Sequence, residues 1–300
     1  MTDALFLTSE AVDDLATPAD YVAAVRDGYR EVGEGAPAEP RTLLPSGDPP
    51  GMLTTYVAML PEVGAMGGYT YAAGFAERDA WFLTPLFDAE TGEPLAVIDG
   101  ASMNPFKTGA AGAVAVDALA RPDASTVAVI GSGPQARGQL RTTATVRDLT
   151  GVRVFSPTPA NRESFTDEFA ERLDADVTAV SSAGAALADA DVVITATTAS
   201  EPVIADADVE PGTHVTAMGQ YAADKHELPP ELVARATYVP DLTARATRDA
   251  GSFIAAREAG LVSDDDLEVE LGDVVAGSHP GRTSDDEVTV FDSGGTGIET

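Results

Sequence analysis

The sequence contains no cysteine. Disulfides, thiolate metal sites and thiol nucleophiles are therefore excluded. Histidine is nearly as scarce. His214, His226 and His279 stand too far apart to form a zinc motif, and no metal is expected. No apolar run approaches the roughly 18 residues that a membrane helix requires. The opening residues Met1-Thr2-Asp3-Ala4 carry no basic stretch of the kind that begins a secretory signal. The expected location is the cytoplasm. Positive charge is the remaining scarcity: Lys and Arg number 18 against 49 Asp and Glu, a formal net charge of −31 in 300 residues. Such a surface repels nucleic acid and anionic lipid, which are bound through Lys and Arg, so neither is an expected partner. The acidic residues are dispersed along the chain and not gathered into a tail. Self-repulsion of this size calls for screening by concentrated salt, as in halophiles. Lysine occurs twice, as Lys107 and Lys225, and both fall inside motif-like stretches.

What is present is an apolar content of 44% and a change of character near Arg121-Pro122-Asp123. Before that point Ala19–Val32 has helical spacing, with Val22, Val25 and Tyr29 on one face. Pro40–Pro45 is a short extended segment. Gly51–Met59 and Gly67–Phe75 read as strands, and Trp81–Phe87 and Pro94–Ile98 flank the turn Asp88–Gly92. Thr108–Ala120 is an Ala-rich helix. This is an α+β domain with an antiparallel sheet. After Arg121 strands and helices alternate: Thr126–Ile130, a helix to about Leu149, Val152–Phe155, a helix over Asn161–Leu173, then strands at Val177–Val180, Asp191–Ala196, His214–Met218 and Tyr238–Pro240. That alternation gives an α/β fold, a doubly wound parallel sheet of Rossmann type joined to a smaller α+β domain. The expected division is 1–120 for substrate and dimerisation, completed by about 288–300, and 121–287 for the nucleotide. Val288–Phe291 reads as a strand and Gly294–Thr300 as a loop entering a helix, at which point the chain stops, as a truncated form would.

The chemistry begins at Gly131-Ser132-Gly133-Pro134-Gln135-Ala136, set between an apolar strand and a helix start. Gly131 allows the tight turn, Gly133 lets the backbone approach a pyrophosphate, and Ala136 is small where helix packs on strand. Pro134 suits the first helical turn, where its missing N–H costs nothing. Free N–H groups and the helix dipole then face phosphate. A nicotinamide dinucleotide is the expected cofactor. NAD sites place an acid at the end of the second strand. Here that position holds the neutral Ser156, followed by Thr158 and Arg162, which would meet a 2′-phosphate, so NADP is favoured over NAD. Thr195, Ala196 and Thr197 border the same crevice.

With these motifs in order, the chain resembles the ornithine cyclodeaminase/mu-crystallin family, in a haloarchaeal-type form. The resemblance runs from about residue 5 to the end. It is carried by Pro40-Arg41-Thr42, Asp88–Pro94, Lys107–Ala111, Gly131–Ala136, Thr195–Thr198 before Pro202, Lys225–Leu228, Gly281-Arg282 and Val290–Ser293. It implies a homodimer paired through the non-Rossmann domain and NAD(P)-dependent hydride transfer at the amino or imino carbon of a small amino or imino acid. The family also contains cyclodeaminase lyases, which convert ornithine to proline and ammonia with NAD recycled, and non-catalytic NADP-binding members.

The resemblance also assigns roles. Arg41 matches the arginine that holds the substrate carboxylate, a task suited to a planar fork. Lys107 stands where the family has an arginine, keeping the charge and losing the bidentate geometry. Lys225 matches a lysine near the cofactor and Glu227 its acidic neighbour. Met218, Gly219 and Ser293 join the cofactor side. Two positions depart from the pattern: Tyr69 replaces a substrate-binding lysine and Tyr221 replaces a catalytic aspartate. A neutral tyrosine cannot serve as a carboxylate base at neutral pH, which argues against the lyase. Its hydroxyl can protonate a nitrogen as hydride arrives, so an imine reductase or amino-acid dehydrogenase is expected, with Tyr69 or Tyr221 as proton donor.

Overall fold

The computed structural model describes residues 4–13, 15–75 and 80–300. The first sheet contains β1 (Leu5–Leu7), β2 (Ala38–Gly47), β3 (Pro50–Leu60), β4 (Ala65–Ala73), β5 (Ala80–Asp88) and β6 (Pro94–Asp99), in the order β1-β6-β5-β4-β3-β2. Strands β2 to β6 pair antiparallel. The turn after β5 forms because the Asp88 carboxylate accepts the N–H groups of Glu90 at 3.0 Å and Thr91 at 2.7 Å, and Gly92 takes a φ of 73°. β1 joins the edge in parallel beside β6, so the sheet is mixed and not purely antiparallel. Three residues are too few to show a periodicity, which is why the sequence pattern did not reveal β1.

Helix α1 (Ser9–Val12) is a single turn, and α2 (Pro18–Gly33) follows it. α2 starts where Thr17 and Asp20 form a reciprocal capping box around Pro18, and it buries Val22, Val25 and Tyr29 as its spacing predicts. Helix α3 (Asn104–Leu119) begins four residues earlier than its alanine pattern indicated, with Pro105 in the first turn. Most of α3 is buried, and Lys107 lies within its first turn.

The second sheet alternates with helices: β7 (Thr126–Ile130), α4 (Pro134–Thr143), β8 (Gly151–Phe155), α5 (Pro159–Ala170), β9 (Asp176–Ala179), α6 (Ala183–Leu187), β10 (Val192–Thr195), β11 (His214–Ala217), α7 (Pro230–Arg235), β12 (Thr237–Pro240), α8 (Thr243–Asp249), α9 (Gly251–Glu258), α10 (Leu271–Val275) and β13 (Thr289–Asp292). Its strands run in the order β12-β13-β11-β10-β7-β8-β9, all parallel. β10 and β11 are buried throughout, as strands covered on both faces must be. The chain order reverses between β7 and β10. In open α/β sheets the crevice at such a reversal takes the ligand.

Two expectations are corrected. The helix expected to reach Leu149 stops at Thr143. Its end is a run of threonines, and the Thr142 hydroxyl bonds back to the Gly138 carbonyl at 3.0 Å, which favours a break. The segment 288–300 does not simply complete the first domain. β13 lies inside the parallel sheet between β11 and β12, while the single 3-10 turn Gly297–Glu299 returns to pack on α2 and β3. Strand order in a parallel sheet is set by distant pairing, which local pattern does not encode.

The two halves meet through α3 and α4. A Cβ on Gly109 would lie 2.6 Å from the Gly138 carbonyl, and one on Gly138 would lie 2.6 Å from the Pro105 carbonyl carbon. The absence of side chains there lets the two helix backbones touch, which fixes Lys107 relative to the glycine turn. Among the described residues no helix is long and apolar enough to cross a membrane.

Candidate active site

The glycine turn is built as its sequence demands. Gly131 has a φ of 125°, and a Cβ there would overlap the Ala196 carbonyl at the end of β10. Gly133 caps α4 with an ordinary φ of −78°, makes no side-chain cap, and has nothing within 4 Å of where a Cβ would stand. Gln135 carries a buried Oε1 with no hydrogen-bond partner. An open cradle and uncapped helix N–H groups together fit a dinucleotide pyrophosphate. Ala136 is fully buried against the sheet. Ser132 Oγ donates to Ser156 Oγ at 3.0 Å, tying the turn to the end of β8. Arg162 Nη1 donates to the Ser156 carbonyl at 2.9 Å, and Thr158 precedes α5 without making a side-chain cap.

On the other side of the crevice, Glu227 gathers two strand ends. Its carboxylate accepts Thr195 Oγ1 at 3.0 Å, the Thr197 N–H at 2.7 Å and the Gly219 N–H at 2.8 Å. Burial pushes its pKa up, and those hydrogen bonds oppose the shift. Met218 is held beside them by Gln139 Nε2, 2.8 Å from its sulfur.

These elements enclose a cavity of about 300 Å³ lined by Gly133, Pro134, Gln135, Ala196, Thr197, Met218, Gly219, Ser293, Lys107, Tyr69 and Tyr221, among others. Its far wall is aromatic. Tyr56 pairs with Tyr69 across β3 and β4, and Tyr71 with Phe82 across β4 and β5. Tyr69 and Tyr71 share a face because they are two residues apart on one strand. The ring centroids of Tyr69 stand 5.7 Å from Tyr56 and 5.3 Å from Phe82. Among the described residues no carboxylate lines this cavity.

The charged groups sit at its edges. Lys107 Nζ lies over the Tyr69 ring at 4.5 Å and pairs with Glu299 at 3.3 Å, both side chains buried. It also reaches Tyr56 Oη and Thr108 Oγ1, each at 3.4 Å. Tyr69 Oη donates to the Gly100 carbonyl at 3.2 Å, and burial raises its pKa far above the ordinary range. Arg41 is buried as well. It donates to Tyr71 Oη at 3.2 Å and to the Gly294 carbonyl, and its guanidinium lies 4.4 Å from the centre of the Tyr221 ring. Its Nε has no hydrogen-bond partner and faces Asp249 at 3.8 Å.

Arg41 does not line the inner cavity. It lines an adjoining outer one of about 770 Å³ with Lys225, Arg248, Asp249 and Gln220. Tyr221, 37% exposed, lines both and stands between them. Gly131, Ser132, Ala136, Ser156, Thr158, Arg162 and Thr195 lie outside both cavities and shape the turn and strand ends. Sequence reasoning missed Tyr56, Tyr71, Glu299, Asp241 and Arg245. Tyr69-Thr70-Tyr71 carried a period-two signal, and Asp241, Arg245 and Asp249 stand four residues apart. Glu299 gave no local signal.

Comparison with known proteins agrees with this architecture. The model of the ornithine cyclodeaminase/mu-crystallin family matches residues 2–300. The Δ1-pyrroline-2-carboxylate reductase of Bacillus cereus is 35% identical over 214 residues, 71% of this chain and 66% of that protein. Among solved structures, Thermococcus litoralis Δ1-pyrroline-2-carboxylate reductase in complex with NADH and L-proline aligns with a TM-score of 0.92 and 29% identity, covering 98% of this chain and 93% of that one. An archaeal alanine dehydrogenase dimer with bound NAD aligns with a TM-score of 0.91 and 30% identity, covering 99% and 92%.

Proposed function

Because the chain belongs to the ornithine cyclodeaminase/mu-crystallin family, we propose a direction, a substrate class and residue roles for its reaction. It is an NAD(P)-dependent oxidoreductase of small amino or imino acids. The proposed reaction is reduction of an α-imino acid, cyclic or acyclic, to the amino acid. The observation that carries this reading is the inner cavity, where the glycine turn, Lys107 and an aromatic wall converge and where, among the described residues, no carboxylate is in the lining.

When bound, NAD(P)H supplies the hydride. Gly133 and the backbone N–H groups at the start of α4 would hold the pyrophosphate, and Thr197, Met218, Gly219 and Ser293 would hold the nicotinamide half. Lys107 holds the substrate carboxylate within the inner cavity, and Arg41 reaches toward it from the outer cavity beside the Tyr221 ring. Tyr221 donates the proton to nitrogen as the C=N bond becomes CH–NH. Its hydroxyl is preferred to that of Tyr69, which is committed to the Gly100 carbonyl. The aromatic wall excludes water, which would otherwise hydrolyse the imine. A lyase of the cyclodeaminase type needs a carboxylate at position 221, where this chain has tyrosine.

Finer features belong to the same proposal. NADP is preferred, since Ser156, Thr158 and Arg162 offer hydroxyls and a cation where an acid would select NAD. The outer face of the first sheet exposes Leu53, Val57, Met59, Leu83, Phe87 and Leu95. A patch of that extent fits a homodimer made through this sheet. The surplus of acid fits a halophilic, haloarchaeal-type cytoplasm. Residues 1–120 serve substrate and dimerisation and 121–287 the nucleotide, with the tail shared between them. The test is NAD(P)H oxidation with Δ1-pyrroline-2-carboxylate, or with a 2-oxo acid plus amine, in molar KCl. Turnover with an imino acid is the expected result; release of ammonia from ornithine without net coenzyme change would reverse the reading.

A further inference from the structure

We propose that Arg245, which lines neither cavity, is a positioning residue for both cationic arms of the substrate site. The proposal rests on the roles given above to Arg41 and Lys107. Arg245 is fully buried on α8 and touches three carboxylates. Its Nε meets Asp241, its Nη1 meets Asp249 at 3.2 Å, and its Nη2 meets the Asp292 carboxylate at 2.7 Å and the Asp292 carbonyl at 2.8 Å.

Two branches leave this hub. In the first, the second oxygen of Asp249 faces Arg41 Nε at 3.8 Å, the nitrogen that has no hydrogen-bond partner. Asp249 is thus shared between two arginines, firmly with Arg245 and loosely with Arg41. In the second, the free oxygen of Asp241 accepts Ser293 Oγ at 2.7 Å and the Gly294 N–H at 3.1 Å. The same Ser293 hydroxyl lies 3.4 Å from Glu299 Oε1, and Glu299 Oε2 pairs with Lys107 at 3.3 Å. The branches meet again at Gly294, whose carbonyl accepts Arg41 Nη2.

Every link is polar, and all the side chains but Asp249, which lines the outer cavity, are buried. Such a cluster is poor value for stability, because desolvation offsets the attraction between its charges. What a guanidinium adds is a rigid planar fork that fixes the angles of three carboxylates at once. A lysine would keep the charge and lose the angles. The circuit therefore transmits the orientation of one residue on α8 to an arginine on β2 and a lysine on α3.

The deciding variants are Arg245→Lys and Asp249→Asn, because Arg245→Met strands the buried carboxylates of Asp241 and Asp292 and risks misfolding. For Arg245→Lys the KM for Δ1-pyrroline-2-carboxylate should rise about tenfold, the scale of one well-aligned charged hydrogen bond. Turnover number should stay near wild type, and NAD(P)H affinity should fall by a much smaller factor than the KM rises, since only Ser293 links the circuit to the coenzyme side. Asp249→Asn cuts the first branch and should raise the same KM by a smaller factor. Unchanged KM in both variants overturns the proposal. So does a KM increase matched by an equal loss of coenzyme affinity and a lower Tm, the signature of a merely structural role. Binding of L-proline to the NAD-loaded protein, measured by calorimetry, separates this from the functional reading. A wild type that turns over no imino acid, yet binds L-proline more tightly than Arg245→Lys does, refutes the reading and keeps the proposal. Equal binding by the two proteins refutes the proposal.

Discussion

The two glycines of the nucleotide turn should respond differently to the same added methyl group. At Gly131 the backbone has a φ of 125°, and a Cβ would overlap the Ala196 carbonyl. The conformational strain is about 1–3 kcal/mol for a residue with a side chain. Overlap with a main-chain atom adds about 1–3 kcal/mol, since no flexible side chain can move aside. Gly131→Ala should therefore lose about 4 kcal/mol, a fall in Tm of about 10 °C for a chain of this size. Nucleotide affinity should fall with it, because β7 and β10 must separate to make room. At Gly133 the φ is −78° and nothing lies within 4 Å. Gly133→Ala should leave the Tm within the ordinary scatter of a surface change, about 0.5 kcal/mol. Its methyl group would occupy the space assigned to pyrophosphate, so NAD(P)H affinity should drop at least about tenfold, or about 1.4 kcal/mol. Thermal melts and NAD(P)H fluorescence titration, both in concentrated KCl, read the two effects separately. A Gly133→Ala protein that binds NAD(P)H like the wild type would show that the pyrophosphate does not approach this backbone, and the reasoning about the turn would be wrong.

Three further outcomes are expected. Tyr221→Phe should lower kcat about a hundredfold with little change in KM, the usual scale for losing a general acid, while Tyr69→Phe should cost little; steady-state kinetics that rank them the other way would reassign the proton donor. His214 is buried between Thr289 and Thr216, and burial, aided by the charges of Arg282 and Arg147, pushes its pKa down to about 3. The unfolded chain takes up that proton near pH 6.5, so this group destabilises the fold progressively from about pH 6.5 down to about pH 3. The Tm of His214→Gln should accordingly fall less between pH 7.5 and pH 5 than that of the wild type. Last, Val57→Glu combined with Phe87→Glu should convert a dimer to monomer in sedimentation velocity, whereas an unchanged sedimentation coefficient would move the interface elsewhere.

The sequence made some of this site plain and hid the rest for physical reasons. The turn from Ile130 to Ala136 was legible because every requirement is local: an apolar strand, small residues, a proline at a helix start. The scarcity of lysine pointed to Lys107, which does line the inner cavity. Burial was much less legible. Asp241, Arg245 and Asp249 have the spacing of solvent-exposed pairs on a helix, and nothing local says that this face is turned inward. Glu299 reaches Lys107 from nearly two hundred residues away. β13 was recognisable as a strand, but its place between β11 and β12 depends on pairing with residues more than fifty positions distant. Tyr69 and Tyr221 looked equivalent as proton donors until the Gly100 carbonyl separated them.

The bare backbone contact of Gly109 with Gly138 has a mechanical consequence. Two rods that touch without intervening side chains have no lubricating layer, so neither can slide or tilt without atoms colliding. Relative motion of the two halves is locked at that seam, and any opening that admits substrate must be greatest at the rim farthest from it. Tyr221, Thr198 and Gly219 line both chambers, and of the three Tyr221 has the bulky ring, which makes it the natural threshold for traffic through the site.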